Sequence, residues 1–251
     1  MLFRSGIRRE SNGYFERRPV AAWVAQENTT NFIKSSSFVP MTARAALEAV
    51  PGVAEATPLL RLITTLDLPE APVSVIVLGI ESASPAALPD MVAGRAAPGR
   101  GELVLDGALA RRHGLAIGDT VTLQGRRFAL VGLSRGTNAV LVQFGFIALA
   151  DAHELLGVPL LASFFLVRAD AGVEADALVA RLEGRVPRTR VFTRDGFARG
   201  NLREMQEGLF PILITVASLG GVVGLIVLTL LLSRSEEHTS ELQSRPHISY
   251  A

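Results

Sequence analysis

Apolar residues fall into three regimes along the chain. From about Val20 to Arg194, short aliphatic runs alternate with polar stretches punctuated by Gly and Pro. Arg194 to Gly208 is polar, with Phe197, Leu202 and Met205 at loose helical spacing. Leu209 to Leu232 is continuously apolar. In the first regime Ala21–Gln26, around Trp23, predicts a strand and Asn28–Ser37 a polar connection. Pro40–Val50 carries Ala and Leu at helical spacing behind a Thr42 N-cap, and Pro51-Gly52 ends that helix. Val53–Thr57 leads to a second extended stretch, Leu59–Leu66. Val73–Ile80, dense in β-branched residues, predicts a buried strand. Ser82–Gly101 is rich in Ala, Pro, Ser and Gly and predicts a loop with at most one helical turn, near Pro89–Val92.

Gly101–Leu133 is the most structured pattern. Leu103–Leu105 predicts a strand and Asp106 an N-cap. Ala108–His113 predicts a short helix that Gly114 ends in the left-handed conformation open to a residue without Cβ. Gly118-Asp119 turns the chain into the alternating Thr120–Leu123, and Gln124-Gly125 predicts a tight hairpin turn to Phe128–Leu133. Further strands are predicted at Val140–Ala148, Phe164–Arg168 and Val191–Thr193. Helices are predicted at Ala150–Leu156, closed by Gly157, and at Val173–Leu182, with Val173, Ala177, Leu178 and Leu182 on one side. The fold class is α+β: a mixed α/β domain of short strands and helices, followed by one transmembrane helix.

The transmembrane prediction rests on Leu209–Leu232, which has no charge, amide or histidine over 24 residues, 16 of them Leu, Ile, Val or Phe. As a helix it reaches about 36 Å, beyond the roughly 30 Å of a bilayer core. Pro211 falls in the first turn, where a missing N–H costs little. Gly220 and Gly224 form G-x-x-x-G and Ala217 with Gly221 a second small pair, a stripe along which two helix backbones can approach. Arg194, Arg199 and Arg203 interleave with Asp195, Glu204 and Glu207, so flanking charge does not set the orientation.

Composition narrows the function. With 49% hydrophobic residues the chain can bury a core, and 25 Lys+Arg against 24 Asp+Glu leave no basic face for nucleic acid. The absence of cysteine excludes disulfides and thiolate zinc sites. Lys34 is the only lysine in an Arg-, Ala- and Gly-rich chain. The style breaks at Arg234–Ala251, RSEEHTSELQSRPHISYA, which resembles the translation of a sequencing adapter, as does MLFRS at Met1–Ser5. Those ends are expected to be foreign to the protein. Without them the net charge stays +1, and only His113 and His153 remain of the four histidines.

No catalytic constellation emerges. The chain lacks a P-loop, so it carries no nucleotide cradle of its own. It also lacks H-E-x-x-H and G-x-S-x-G. His113 at a helix end and His153 on a short helix read as surface or packing residues. Asp151, His153 and Glu154 have a spacing common in polar helix starts, and Ser35-Ser36-Ser37 reads as a solvated loop. Gly118-Asp119 is turn chemistry, since a metal would need more oxygen ligands. No enzyme activity, catalytic residue, metal or cofactor is expected.

The pattern GE-x-VLD-x-x-LA-x-x-x-GL-x-IGDTV-x-L-x-G-x-x-F-x-LVGL over Gly101–Leu133 resembles the extracytoplasmic core domain of MacB/FtsX-type ABC-transporter permeases. Trp23-Val24-Ala25-Gln26 followed by Asn31-Phe32 and Ser35-Ser36-Ser37 resembles that family's first strand and loop. Val50-Pro51-Gly52-Val53 with Pro58 resembles its next segment, and Val191-Phe192-Thr193-Arg194 with Phe197 its join to a second membrane helix. Arg-rich Gly6–Arg18 departs from the pattern. The resemblance implies a permease fragment in the cell (inner) membrane, whose first and last two membrane helices lie outside this chain. It also implies a separate ATP-binding subunit or domain as partner, a second permease copy or a homologous permease, and a lipid bilayer; no nucleic acid is involved. The expected map is an N-terminal segment 1–19, an extracytoplasmic core 20–193, a stalk 194–208, a transmembrane helix 209–232 and the adapter-like 234–251. The rival reading is a single-pass membrane-anchored binding or sensor domain, and a third is a membrane-tethered enzyme.

Overall fold

The computed structural model describes residues 19–29, 32, 36–68, 70–139, 142–194, 196 and 214–229. The chain forms two compact units, residues 1–201 and 202–251. In the first unit the predicted strands and helices form largely as their periodicity dictates. They are β1 (Ala22–Gln26), β2 (Val39–Pro40), α1 (Ala43–Glu48), β3 (Val53–Asp67), β4 (Val73–Ile80), β5 (Met91–Gly94), β6 (Glu102–Asp106) and α2 (Gly107–Arg112). Then follow β7 (Thr120–Leu123), β8 (Arg126–Ser134), β9 (Asn138–Ala139), β10 (Val142–Ala148), α3 (Leu149–Leu156), β11 (Leu161–Ala162), β12 (Phe164–Ala169), α4 (Ala175–Leu182) and β13 (Thr189–Thr193).

Most strands join one sheet in the order β13-β1-β12-β3-β4-β10-β6-β8-β5. Strand β7 bridges β3 and β8, so β3, β4, β10, β6, β8 and β7 close into a six-stranded ring. Because side chains alternate across a strand, each strand feeds two cores. Into the ring point Leu60, Leu62 and Leu66 of β3, Val75 and Val77 of β4, Leu103 and Leu105 of β6 and Phe128 of β8, closed off by Leu109 of α2 and by Leu149 and Ala152 of α3. Beside the ring on that same face, α1 and α4 cover Ala22, Val24, Phe165 and Val167. The opposite face carries Trp23, Leu59, Ile76, Phe144, Phe146 and Phe164, covered by Phe32, Ala86 and Ala87 from loops. Helices thus cover one face, as in α+β architecture.

Local signals explain several joints. Asp106 caps α2, its Oδ1 accepting from the amides of Ala108 (2.9 Å) and Leu109 (3.0 Å). Gln124 and Gly125 both have positive φ, 47° and 77°, as a two-residue hairpin turn matched to strand twist requires. Gly157 ends α3 at φ 67°.

Other expectations are corrected. Thr42 sits at the N-cap position of α1 but with helical dihedrals and no side-chain cap bond. Val53–Thr57 and Leu59–Leu66 are one strand, running straight through Pro58. The Ser163 amide donates to the Leu59 carbonyl on the β12 side (2.8 Å). Pro58 therefore turns its donor-less nitrogen the other way, where β4 has already ended opposite Leu59. The expected turn near Pro89–Val92 is the edge strand β5, paired irregularly with β8. On α4, Leu178 and Leu182 are buried and Val179 packs beside them, whereas Ala177 is exposed.

The second unit is described only over 214–229, a helix with every residue exposed. Its 16 residues rise about 24 Å, and no helix among the described residues is long and apolar enough to cross a membrane. The remaining residues of the predicted span, 209–213 and 230–232, lie outside the described residues, as do 1–18, 197–208 and 233–251. Among the described residues, an added Cβ at Gly220, Gly221 or Gly224 would meet nothing within 4 Å, and Ala217 lies on the same helix.

Candidate functional site

Three polar clusters and one backbone arrangement stand out. In the first cluster Asp106, buried behind α2, accepts from the Thr137 hydroxyl through Oδ2 at 2.7 Å, and Thr137 shares a hydrogen bond of 2.7 Å with Ser134. With Oδ1 already on the helix amides, this carboxylate is occupied in holding β6, α2 and the turn after β8 together. In the second, the Arg61 guanidinium is half-buried against the sheet, donates to the Phe32 carbonyl and lies 5.9 Å from the Phe32 ring centre. Burial pushes its pKa down. It pins the loop that carries Phe32.

The third cluster joins three distant segments. Asp151 of α3 is fully buried, and its Oδ2 accepts from the Gly101 amide at 2.8 Å. Its Oδ1 has no hydrogen bond among the described residues and faces Arg126 Nη2 at 3.6 Å and Arg100 Nε at 3.7 Å. One turn on, Glu154 accepts from Arg100 and, at 2.8 Å, from Arg126. Asp151 and Glu154 thus share two guanidiniums in an ion-pair centre. His153 turns away, its Nε2 within 2.9 Å of the Leu161 carbonyl. The arginines escaped sequence analysis because they lie on the turn before β6 and on the β7–β8 hairpin. Ser37 is likewise corrected: it is buried, its Oγ accepting from the Gln26 amide at 2.9 Å and donating to the Ser163 carbonyl. No group of three or more His, Asp or Glu side chains among the described residues has metal-holding geometry.

The hydrogen bonds from Arg100, then from Arg126, hold the Glu154 carboxyl below its ordinary range. A carboxylate with a lowered folded-state pKa contributes stability above its unfolded pKa, and that contribution is lost as pH falls through the folded value. Thermal melting of wild type and Glu154→Gln should therefore differ most above the ordinary Glu range, from about pH 5 upward, and converge as the pH falls below that range. A difference that grew on acidification would contradict the pairing.

The backbone arrangement is the pairing of the domain's two ends. Strands β1 and β13 are antiparallel neighbours, with Ala22 opposite Thr193, Trp23 opposite Phe192 and Val24 opposite Val191. Opposed Cα atoms in such a ladder lie about 5 Å apart. The chain thus enters and leaves the sheet side by side. Both stems are held close to their ends: the Ala21 amide donates to Val167 O (2.9 Å), and Thr193 Oγ1 accepts from the Gly196 amide (3.0 Å). Trp23 anchors the ladder, with Phe32 and Phe164 edge-on at 6.1 Å. The outer edge of β13 is occupied in part by Glu183, which accepts from the Val191 amide at 3.2 Å, one way of blunting an exposed edge strand.

Residues 1–185 match the family model described as the MacB-like periplasmic core domain. No curated protein matches the sequence. Among solved structures, the periplasmic region of MacB from Actinobacillus actinomycetemcomitans is similar in fold, with a TM-score of 0.55 at 12% identity, covering 76% of this chain and 95% of that one. The extracellular domain of the noncanonic ABC-type transporter YknZ from Gram-positive bacteria also matches, with a TM-score of 0.49 at 14% identity over 68% of this chain and 98% of that one.

Proposed function

Because the chain belongs to the MacB-like periplasmic core domain family, we propose that it is part of the permease subunit of an ABC transporter working in export or lipoprotein transport. In this reading, motion driven by a separate ATPase reaches the extracytoplasmic domain through membrane helices on either side of it. The observation that carries the reading is the Ala22–Thr193 pairing. A domain inserted between two membrane helices needs its ends adjacent, and rigid ends pass on displacement without dissipating it in loops. The apolar run 209–232 supplies the helix on the C-terminal side, and the small-residue stripe Ala217, Gly220, Gly221 and Gly224 is the face on which it packs against a neighbouring membrane helix. The domain itself is a mechanical element without catalysis, cofactor or metal, located outside the cytoplasmic membrane.

The chain has no cysteine, so a single one reports its own location. Ala177→Cys, on the exposed side of α4, is expected to react with a membrane-impermeant maleimide on intact spheroplasts. The full-length permease gene, co-expressed with a P-loop ATPase from its neighbourhood, should yield a complex that hydrolyses ATP. Labelling only after lysis would overturn the location, and absence of any such complex would overturn the transporter reading in favour of a membrane-anchored binding or sensor domain.

A further inference from the structure

The six-stranded ring is not equally strong around its circumference. Strands β3 and β4 share eight register pairs from Leu59–Ile80 to Leu66–Val73, and β4 and β10 share five. The ring closes between β3 and β7 by only two, Leu66–Leu123 and Asp67–Thr122. Those two lie at the last residues of β3, where ladders fray first. The closing strand β7 reaches α3 and the 99–101 turn through its hairpin partner: Leu123 is paired with Arg126, whose guanidinium engages Glu154 and faces Asp151 beside Arg100.

We propose that the β3–β7 contact is a seam at which the ring opens, and that the Arg126–Asp151–Glu154–Arg100 clasp is the latch that sets how often it does. The inference does not depend on transport, since it follows from the register and the ion pairs alone. The charged and titratable groups around the latch are Asp151, His153 and Glu154 on α3, Arg100 and Glu102 at the start of β6, and Arg126 and Arg127 on the hairpin. Of these, His153 contacts a carbonyl, and Glu102 is taken up by Arg95 and the Gly99 amide. Arg127, next to Arg126 on β8, alternates to the opposite face of the strand and is exposed, which leaves two guanidiniums and two carboxylates facing one another. Opening the seam would uncover Leu66 and Leu123, which are buried in the ring core.

The test is hydrogen exchange, read by mass spectrometry on the full chain in detergent. Arg126→Ala should speed exchange in peptides covering 62–67 and 119–124 by on the order of tenfold, the scale of losing charge-assisted hydrogen bonds, while peptides from β4 and β10 stay as in wild type. Glu154→Gln, at an exposed position that leaves the core untouched, should do the same more weakly and serves if Arg126→Ala does not fold. Asp67→Cys with Thr122→Cys, oxidised across the seam in a chain otherwise free of cysteine, should abolish the increase. Unchanged exchange at the seam, an increase uniform around the ring, or an increase that persists in the cross-linked protein would each overturn the proposal.

Discussion

Replacing Trp23 with alanine is expected to destabilise the sheet domain by about 4 kcal/mol, within the usual range for deleting a buried aromatic. Trp23 has no exposed surface and sits on β1 between β13 and β12. Its indole meets Phe32 and Phe164 edge-on, and these two stack on each other at 4.9 Å. Removing it empties the centre of the cluster, because rings held by three strands and a loop cannot collapse into the space. The same variant loosens the ladder that holds Ala22 against Thr193, so the pairing of the domain's two ends and its stability fail together. Urea unfolding should show a lower midpoint with the slope preserved. Ile63→Ala is the control: Ile63 is 61% exposed on β3, two strands from β1, and its loss should stay within about 0.5 kcal/mol. A Trp23→Ala change as small as the control would mean that β1 does not organise this face.

What sequence alone revealed was whatever is encoded within one or two turns of chain. Asp106 was recognisable as a cap because its partners are two and three residues away. Gly125 and Gly157 were recognisable because a turn and a helix end each need φ that only glycine adopts freely. The dense β-branched run Val73–Ile80 declared a strand buried on both faces. Met91–Gly94 did not, because its few residues are extended only by pairing with β8 some forty residues on. Closure of the ring was equally hidden, since it depends on two register pairs between β3 and β7. The candidate site was invisible for the same reason. Ala22 and Thr193 are neighbours across nearly the whole domain, and the guanidiniums that explain Asp151 come from Arg100 and Arg126. The family resemblance over Gly101–Leu133 supplied the identity that local physics could not, and the match over residues 1–185 bears it out.

Gly79→Ala should also be severe, about 3 kcal/mol, although glycine-to-alanine changes in a strand ordinarily gain a few tenths through the unfolded chain. The difference is α3. Gly79 turns its missing side chain toward the ring interior, where an added Cβ would lie 2.3 Å from the Ala152 Cβ and 3.4 Å from the Leu149 Cα. Real Cβ atoms do not approach so closely, and neither obstacle is the end of a flexible side chain. The helix must therefore lift off β4. Lifting it strains the clasp at Asp151 and Glu154 and the N-terminal turn of α3, which follows directly from β10. The compensating change is Ala152→Gly, which alone costs about 1 kcal/mol in a helix interior but removes the atom in the way. The double variant should therefore be more stable than Gly79→Ala alone by about 1 kcal/mol or more, a coupling that contacting residues show and distant ones do not. Strict additivity of the two changes would locate the penalty elsewhere than at the α3–β4 contact.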